Sequence, residues 1–211
     1  MVTLHSSRLN TLLSCAAMHG LLTAYGTFMG REQNQSQLVL ESLRQRGMPG
    51  LKCDLQQWPV VLPTVQSLVQ SALGVPGLRY WLALGEAGRD GVPRLETRAY
   101  NHFDLRHDVQ SAGGGSLEGS LVSAGPPSLR AHWPAPQLAD AMNGAGYPVE
   151  LSQDPGSHCC NALLYWGTLA AQAKQPRPWV GFLHLPRQPG KVEEFAQMVE
   201  FALLWLDEQY L

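Results

Sequence analysis

Apolar residues follow two alternating rhythms along the chain: short continuous runs, and longer stretches with an apolar residue at every third or fourth place. The first rhythm predicts buried strands and the second predicts amphipathic helices. Residues 21–28, Leu-Leu-Thr-Ala-Tyr-Gly-Thr-Phe, form a β-prone run. A helix is predicted over 36–46, with Asn34 and Ser36 as candidate caps and Gly47, Pro49 and Gly50 as the stop. Residues 51–62 read as extended pieces broken by Pro59 and Pro63, and 65–73 reads as a second helix. The unbroken run 78–84 suits a central strand buried on both faces. Residues 86–136 are rich in glycine, proline and polar side chains, which predicts loops and short hairpin strands. A helix over 136–143, a strand over 147–152, a helix over 161–173 and a strand over 179–185 follow. The chain closes with a helix over 192–210 whose stripe is Phe195, Val199, Ala202 and Leu206. Strand and helix keep alternating, so the fold class is α/β: a single three-layer α/β/α domain around a central twisted, mostly parallel mixed sheet.

Composition narrows the function. The chain has 211 residues, 45% of them hydrophobic, and 17 acids against 15 bases give a formal net charge of −2. That length and apolar share are enough for a self-sufficient core. Only three of the bases are lysines and none cluster, which argues against nucleic acid or an anionic membrane as partner. No window approaches the roughly 20 apolar residues of a transmembrane helix. The stretch 12–22 is interrupted by His19 and Gly20 and is not read as a secretory signal. The four cysteines, at 15, 53, 159 and 160, do not make a disulfide framework, and neighbours such as Cys159 and Cys160 have Cα atoms about 3.8 Å apart, under the usual disulfide span. Reduced thiols and a cytoplasmic location are expected.

Candidate chemistry concentrates at Ser152-Gln-Asp-Pro-Gly-Ser-His-Cys-Cys-Asn161, between a predicted strand and a predicted helix. Cys160 would lie at a helix N-terminus, where free backbone N–H groups and the helix dipole favour a thiolate and can hold an oxyanion. A base is offered by His184 in Gly-Phe-Leu-His-Leu-Pro, at the end of a strand where ligands of open α/β sheets bind. A carboxylate to orient the imidazole could be Glu86 or Glu96; spacing does not choose between them, because such sets assemble in space. His102, His107 and Asp108 have no second cluster to complete a tetrahedral metal set and read as solvated loop.

Three ordered segments resemble the pyrrolidone-carboxylate (pyroglutamyl) peptidases, over most of the chain from about Leu21. Ser152 to Gly156 running into Cys160-Asn161, with Tyr165 at an aromatic position, matches the nucleophile motif and implies Cys160 rather than Cys159. Gly181-Phe-Leu-His184-Leu-Pro186 matches the base motif. Glu96-Thr-Arg-Ala-Tyr-Asn101, eleven residues after Gly85, matches the acid motif and implies Glu96 over Glu86. The resemblance implies a cysteine exopeptidase that hydrolyses N-terminal pyroglutamyl residues from peptides and proteins through a thioester. It further implies that no metal or organic cofactor is used, and it implies a homo-oligomer, tetramer or dimer, a peptidase domain over 18–211, and an N-terminal extension over 1–17 with an alternative start at Met18.

The pocket motif departs from the family. Tyr25-Gly-Thr-Phe28-Met-Gly30 stands where the family has an aromatic residue, glycine, proline, phenylalanine and two glycines. Tyr25 and Phe28 are implied to pack on the pyroglutamyl ring, with Glu86, His158 and Cys159 completing the substrate-binding set. Glu86 stands where relatives often carry glutamine near the lactam. These departures leave two alternatives open on sequence: a thiol amidase of altered specificity, or a non-catalytic relative that binds a peptide or metabolite.

Overall fold

The computed structural model describes residues 20–88 and 91–210. The expected extension 1–17, Cys15 and the start at Met18 lie outside the described residues. Among the described residues ten strands and five α-helices follow one another. Strand β1 (Gly20–Tyr25), helix α1 (Gln35–Arg46), β2 (Cys53–Trp58), α2 (Leu62–Leu73) and β3 (Tyr80–Glu86) come first. Five short strands follow: β4 (Arg94–Glu96), β5 (Arg98–Tyr100), β6 (Phe103–Asp104), β7 (Glu118–Gly119) and β8 (Ser128–Arg130). The rest is α3 (Ala135–Gly144), β9 (Glu150–Ser152), α4 (Cys159–Ala171), β10 (Trp179–Leu185) and α5 (Val192–Gln209).

Six strands form one mixed sheet in the order β2-β1-β3-β10-β4-β9. The first four run parallel, and β4 pairs antiparallel with β10 and parallel with β9. Helices α1 and α3 pack on α5, while α2 packs on α4. On the α4 side, an added Cβ at Gly167 would lie 2.9 Å from Val180 and 3.4 Å from Trp81; Trp133 covers Gly181, which points to the other side. Alternation along β10 thus sends Val180, Phe182 and His184 toward α4, and Gly181 and Leu183 toward the α1-α3-α5 layer.

Several boundaries differ from expectation for identifiable reasons. β1 stops at Tyr25 because Gly26 and Thr27 begin the loop that leads to the Asn34 cap, whose side chain accepts from the Ser36 N–H. Pro63 does not break an extended segment; it sits in the first turn of α2, where its missing N–H has no helical partner to lose. β2 is continuous despite its polar sequence because it is the sheet edge, with all of its residues but Trp58 exposed or half-buried. The largest difference is β4: three residues within the expected loop region insert into the main sheet between β10 and β9. That insertion delivers Glu96 to the site.

Candidate active site

His184 is the penultimate residue of β10 and pairs across the antiparallel ladder with Arg94. Glu96 lies two residues further along β4 and therefore on the same face, diagonal to the imidazole and within side-chain reach. Its Oε1 stands 2.8 Å from His184 Nδ1, with both residues buried. The Glu96 carbonyl accepts a hydrogen bond from Trp133 Nε1 at 2.9 Å, which pins the strand from the other side of the sheet. The carboxylate's remaining oxygen, Oε2, is buried without a hydrogen-bond partner among the described residues, and Arg94 Nε lies 3.8 Å from Oε1.

Cys160 is the second residue of α4. The start of that helix is held from two directions. Tyr25 donates its hydroxyl hydrogen to the Cys159 carbonyl at 2.8 Å. Asn161, fully buried, accepts from the Tyr100 N–H and donates to the carbonyls of Tyr100 and His102, all within 2.8 Å. Gly85, at the end of β3, leaves room for the sulfur: a Cβ there would lie 3.0 Å from Cys160 Sγ and 2.8 Å from the Phe182 ring. Cys160 and His184 open into one cavity of about 410 Å³, whose wall includes Phe28, Met29, Glu86 and His158.

Burial, with Cys159 and Glu96 adding to it, pushes the Cys160 thiol well above its usual range, and only the residue's own backbone N–H acts the other way. Burial and the two neighbouring acids thus oppose the thiolate that free N–H groups at the helix start favour.

The remaining residues singled out by sequence divide into wall and foundation. Phe28, Glu86 and His158 line the cavity. Phe28 packs on the His158 ring at 5.9 Å, and the Arg31 guanidinium lies 4.9 Å from its centroid. His158 Nε2 is 3.2 Å from Asp108 Oδ2; burial lowers the His158 pKa although Asp108 acts to raise it. Both Glu86 oxygens are engaged, one by the Arg31 guanidinium and the other by the Gln35 N–H at 2.7 Å. Tyr25 and Cys159 are corrections: both are buried beneath the cavity and neither is in its wall. Alternation along β1 turns the Tyr25 ring under α4 toward Phe182, 6.5 Å between centroids, and Cys159 faces the core.

Among the described residues no group of three or more His, Cys, Asp or Glu could hold a metal ion, and Asp108 is engaged by His158 and Ser111. No helix among them is long and apolar enough to cross a membrane. Sequence reasoning missed Arg31, Arg94 and Asp154 in the cavity wall. Arg94 shares a face with Glu96 only because 94–96 is a strand, which the sequence pattern does not mark; Arg31 and Asp154 sit in loops without periodicity.

A buried carboxylate orienting an imidazole, next to a thiol at a helix start, supplies the parts of nucleophilic acyl transfer. The family model described as pyroglutamyl peptidase matches residues 18–199. A pyrrolidone-carboxylate peptidase of Erwinia tasmaniensis is 26% identical over 169 residues, 80% of this chain and 78% of the relative. The crystal structure of the pyrrolidone carboxyl peptidase of Thermus thermophilus aligns with a TM-score of 0.75 and 27% identity, covering 87% of this chain and 98% of that one. That of Pyrococcus furiosus aligns with a TM-score of 0.80 at 19% identity, covering 92% and 100%, a likeness of fold. With its matching segment spanning the whole sheet and every element of the cavity, the chain belongs to the pyroglutamyl peptidase family.

Proposed function

We propose that this protein hydrolyses the bond between an N-terminal pyroglutamyl residue and the rest of a peptide, with Cys160 as nucleophile, His184 as acid and base, and Glu96 as the group that orients and charges the imidazole. The observation that carries this reading is the 2.8 Å contact between Glu96 and His184 at the wall of the cavity that also holds Cys160. As the sulfur attacks the scissile carbonyl, its proton passes to His184 Nε2, and the new imidazolium is stabilised by Glu96. Backbone N–H groups at the start of α4 receive the oxyanion, a contribution of about 3–4 kcal/mol per donor in comparable sites. Collapse breaks the C–N bond, and the imidazolium proton goes to the departing amine. Water then adds to the thioester with His184 as base, and C–S cleavage returns the thiol and releases pyroglutamate.

The lactam ring rests against Phe28, the aromatic residue that remains in the wall. The Glu86 carboxylate already accepts two hydrogen bonds, but an ionised carboxylate has lone pairs left for the lactam N–H.

The test is release of aminomethylcoumarin from its pyroglutamyl amide, with the prolyl amide as control, by wild type and by Cys160→Ala. Turnover of the pyroglutamyl compound alone, abolished by Cys160→Ala, is expected. A folded, fully reduced wild type that releases no coumarin, or a Cys160→Ala variant of full activity, overturns the reading.

A further inference from the structure

The cavity's outer edge carries a backbone anomaly. Residues Phe28 to Arg31 form a tight turn, closed by a 3.1 Å hydrogen bond from the Arg31 N–H to the Phe28 carbonyl. Its two central residues both have positive φ, 53° at Met29 and 67° at Gly30. Positive φ at both central positions is the type I′ pattern, which glycine, asparagine and aspartate adopt and which a Cβ-bearing thioether side chain resists. Among the described residues Met29 is the only non-glycine with positive φ. The family resemblance puts glycine at this position, where no such strain arises.

A strained residue persists when the surroundings hold it, and such residues gather at ligand clamps. The surroundings here do hold it. Phe28 before the turn is packed on His158, and Arg31 after it is tied to Glu86. What the side chain itself gains inside the protein is small: Met29 is 48% exposed and takes no part in the hydrophobic core, whereas Phe28 packs against it. The other large apolar residues of the cavity wall are half-buried or buried. Stability therefore does not explain a methionine at this place, but its position on the cavity rim does.

We infer that Met29 is a specificity-determining residue that contacts the side chain following the pyroglutamyl group and selects substrates in which that side chain is apolar. The inference rests on the pyroglutamyl reading above. The ring occupies the interior beside Phe28, so the chain beyond the scissile bond has to leave through the open mouth, past Met29. A flexible, polarisable thioether adapts to apolar partners of different shape and offers nothing to a charged one. The other mouth residue of comparable reach, Arg31, already has its charge paired with Glu86, which leaves Met29 as the group free to read the departing residue.

The test compares kcat/KM for pyroglutamyl-leucinamide and pyroglutamyl-glycinamide, with product release followed by chromatography, in wild type, Met29→Gly and Met29→Gln, alongside thermal unfolding. Wild type is expected to favour the leucine compound. Met29→Gly is expected to reduce the leucine-to-glycine ratio by about 5–10-fold, within the discrimination a small apolar contact provides. Its Tm is expected to hold or rise, because glycine adopts this turn without strain. Met29→Gln, similar in length but polar, is expected to lose the preference too. A ratio indifferent to residue 29 while the wild type turns over both compounds overturns this inference alone. Failure of the wild type to hydrolyse either compound overturns the pyroglutamyl reading and this inference with it.

Discussion

Substituting Glu96 by glutamine separates two things the carboxylate does and has a magnitude that follows from its surroundings. Glu96 is fully buried, its Oε1 lies 2.8 Å from His184 Nδ1, and its Oε2 has no hydrogen-bond partner among the described residues. A glutamine in this place has two orientations, and neither is good. With its oxygen on His184 the useful tautomer survives, but the interaction loses its charge, about 1.5 kcal/mol of the difference between a charged and a neutral hydrogen bond. The amide NH2 then takes the site of Oε2 and has to find a buried acceptor that Oε2 did not need; an unsatisfied buried donor there costs about 1–3 kcal/mol. In the reverse orientation the NH2 faces Nδ1 and favours the tautomer with its proton on Nε2, which cannot accept the thiol proton. A loss of about 3–4 kcal/mol corresponds to roughly a 10²–10³-fold drop in kcat/KM. The assay is coumarin release from the pyroglutamyl amide at saturating and limiting substrate, with Glu86→Gln measured in parallel. Glu96→Gln activity within threefold of wild type, or a larger loss of kcat in Glu86→Gln, refutes the assignment of Glu96 as the orienting acid.

Three further substitutions probe the supports of the site. Tyr25→Phe removes the buried 2.8 Å hydrogen bond to the Cys159 carbonyl; a loss of about 1 kcal/mol lowers Tm by about 2–4 °C in calorimetry, with a modest fall in kcat and an unchanged KM. Gly85→Ala places a methyl group 2.8 Å from the Phe182 ring and 3.0 Å from Cys160 Sγ, so coumarin release is expected to fall by about tenfold or more as the sulfur is displaced. Burial pushes the thiols of Cys53 and Cys159 up from 9.0 to about 12. A raised folded-state pKa means that the stability these neutral thiols contribute is fully present below about pH 9 and is lost as pH rises toward 12. Tm measured from pH 8 upward should therefore decline above pH 9, and Cys159→Ala should flatten that decline.

The layers of the fold were legible because their signals are local and redundant. The run 179–185 coincides with β10, and the stripe through Phe195, Val199, Ala202 and Leu206 is the buried face of α5. β4 was not legible, because three residues with a single fully apolar side chain, Leu95, carry no periodicity; their strand character comes from the ladder with β10. The same holds within the site. Cys160 and His184 could be placed by element ends, since helix starts and strand ends are marked in the chain. The choice between Glu86 and Glu96 depended on which carboxylate a non-local ladder brings to His184. Alternation alone does not tell whether Tyr25 faces the cavity or the layer beneath it; the packing of α4 decides that.

The departures in the pocket loop follow a common logic. A loop that lacks the family's proline at Thr27 has more conformations to lose on folding, and side-chain hydrogen bonds restrict them here. Asn34 donates to the Gly26 carbonyl and accepts from the Ser36 N–H, closing the loop on itself. Glu86 ties Arg31 and the Gln35 N–H to the end of β3, the strand whose Gly85 abuts Cys160. The ion pair is largely withdrawn from water, with Glu86 2% and Arg31 31% exposed, a setting in which loss of one partner leaves an uncompensated charge. Glutamine in place of Glu86 could still accept from one donor but would present its NH2 to the other, so a carboxylate suits a loop held by two donors. Glu86 and Arg31 thus work as a pair: together they hold the turn in which Met29 is tolerated, and they link the shape of the cavity mouth to the strand beneath the Cys160 sulfur.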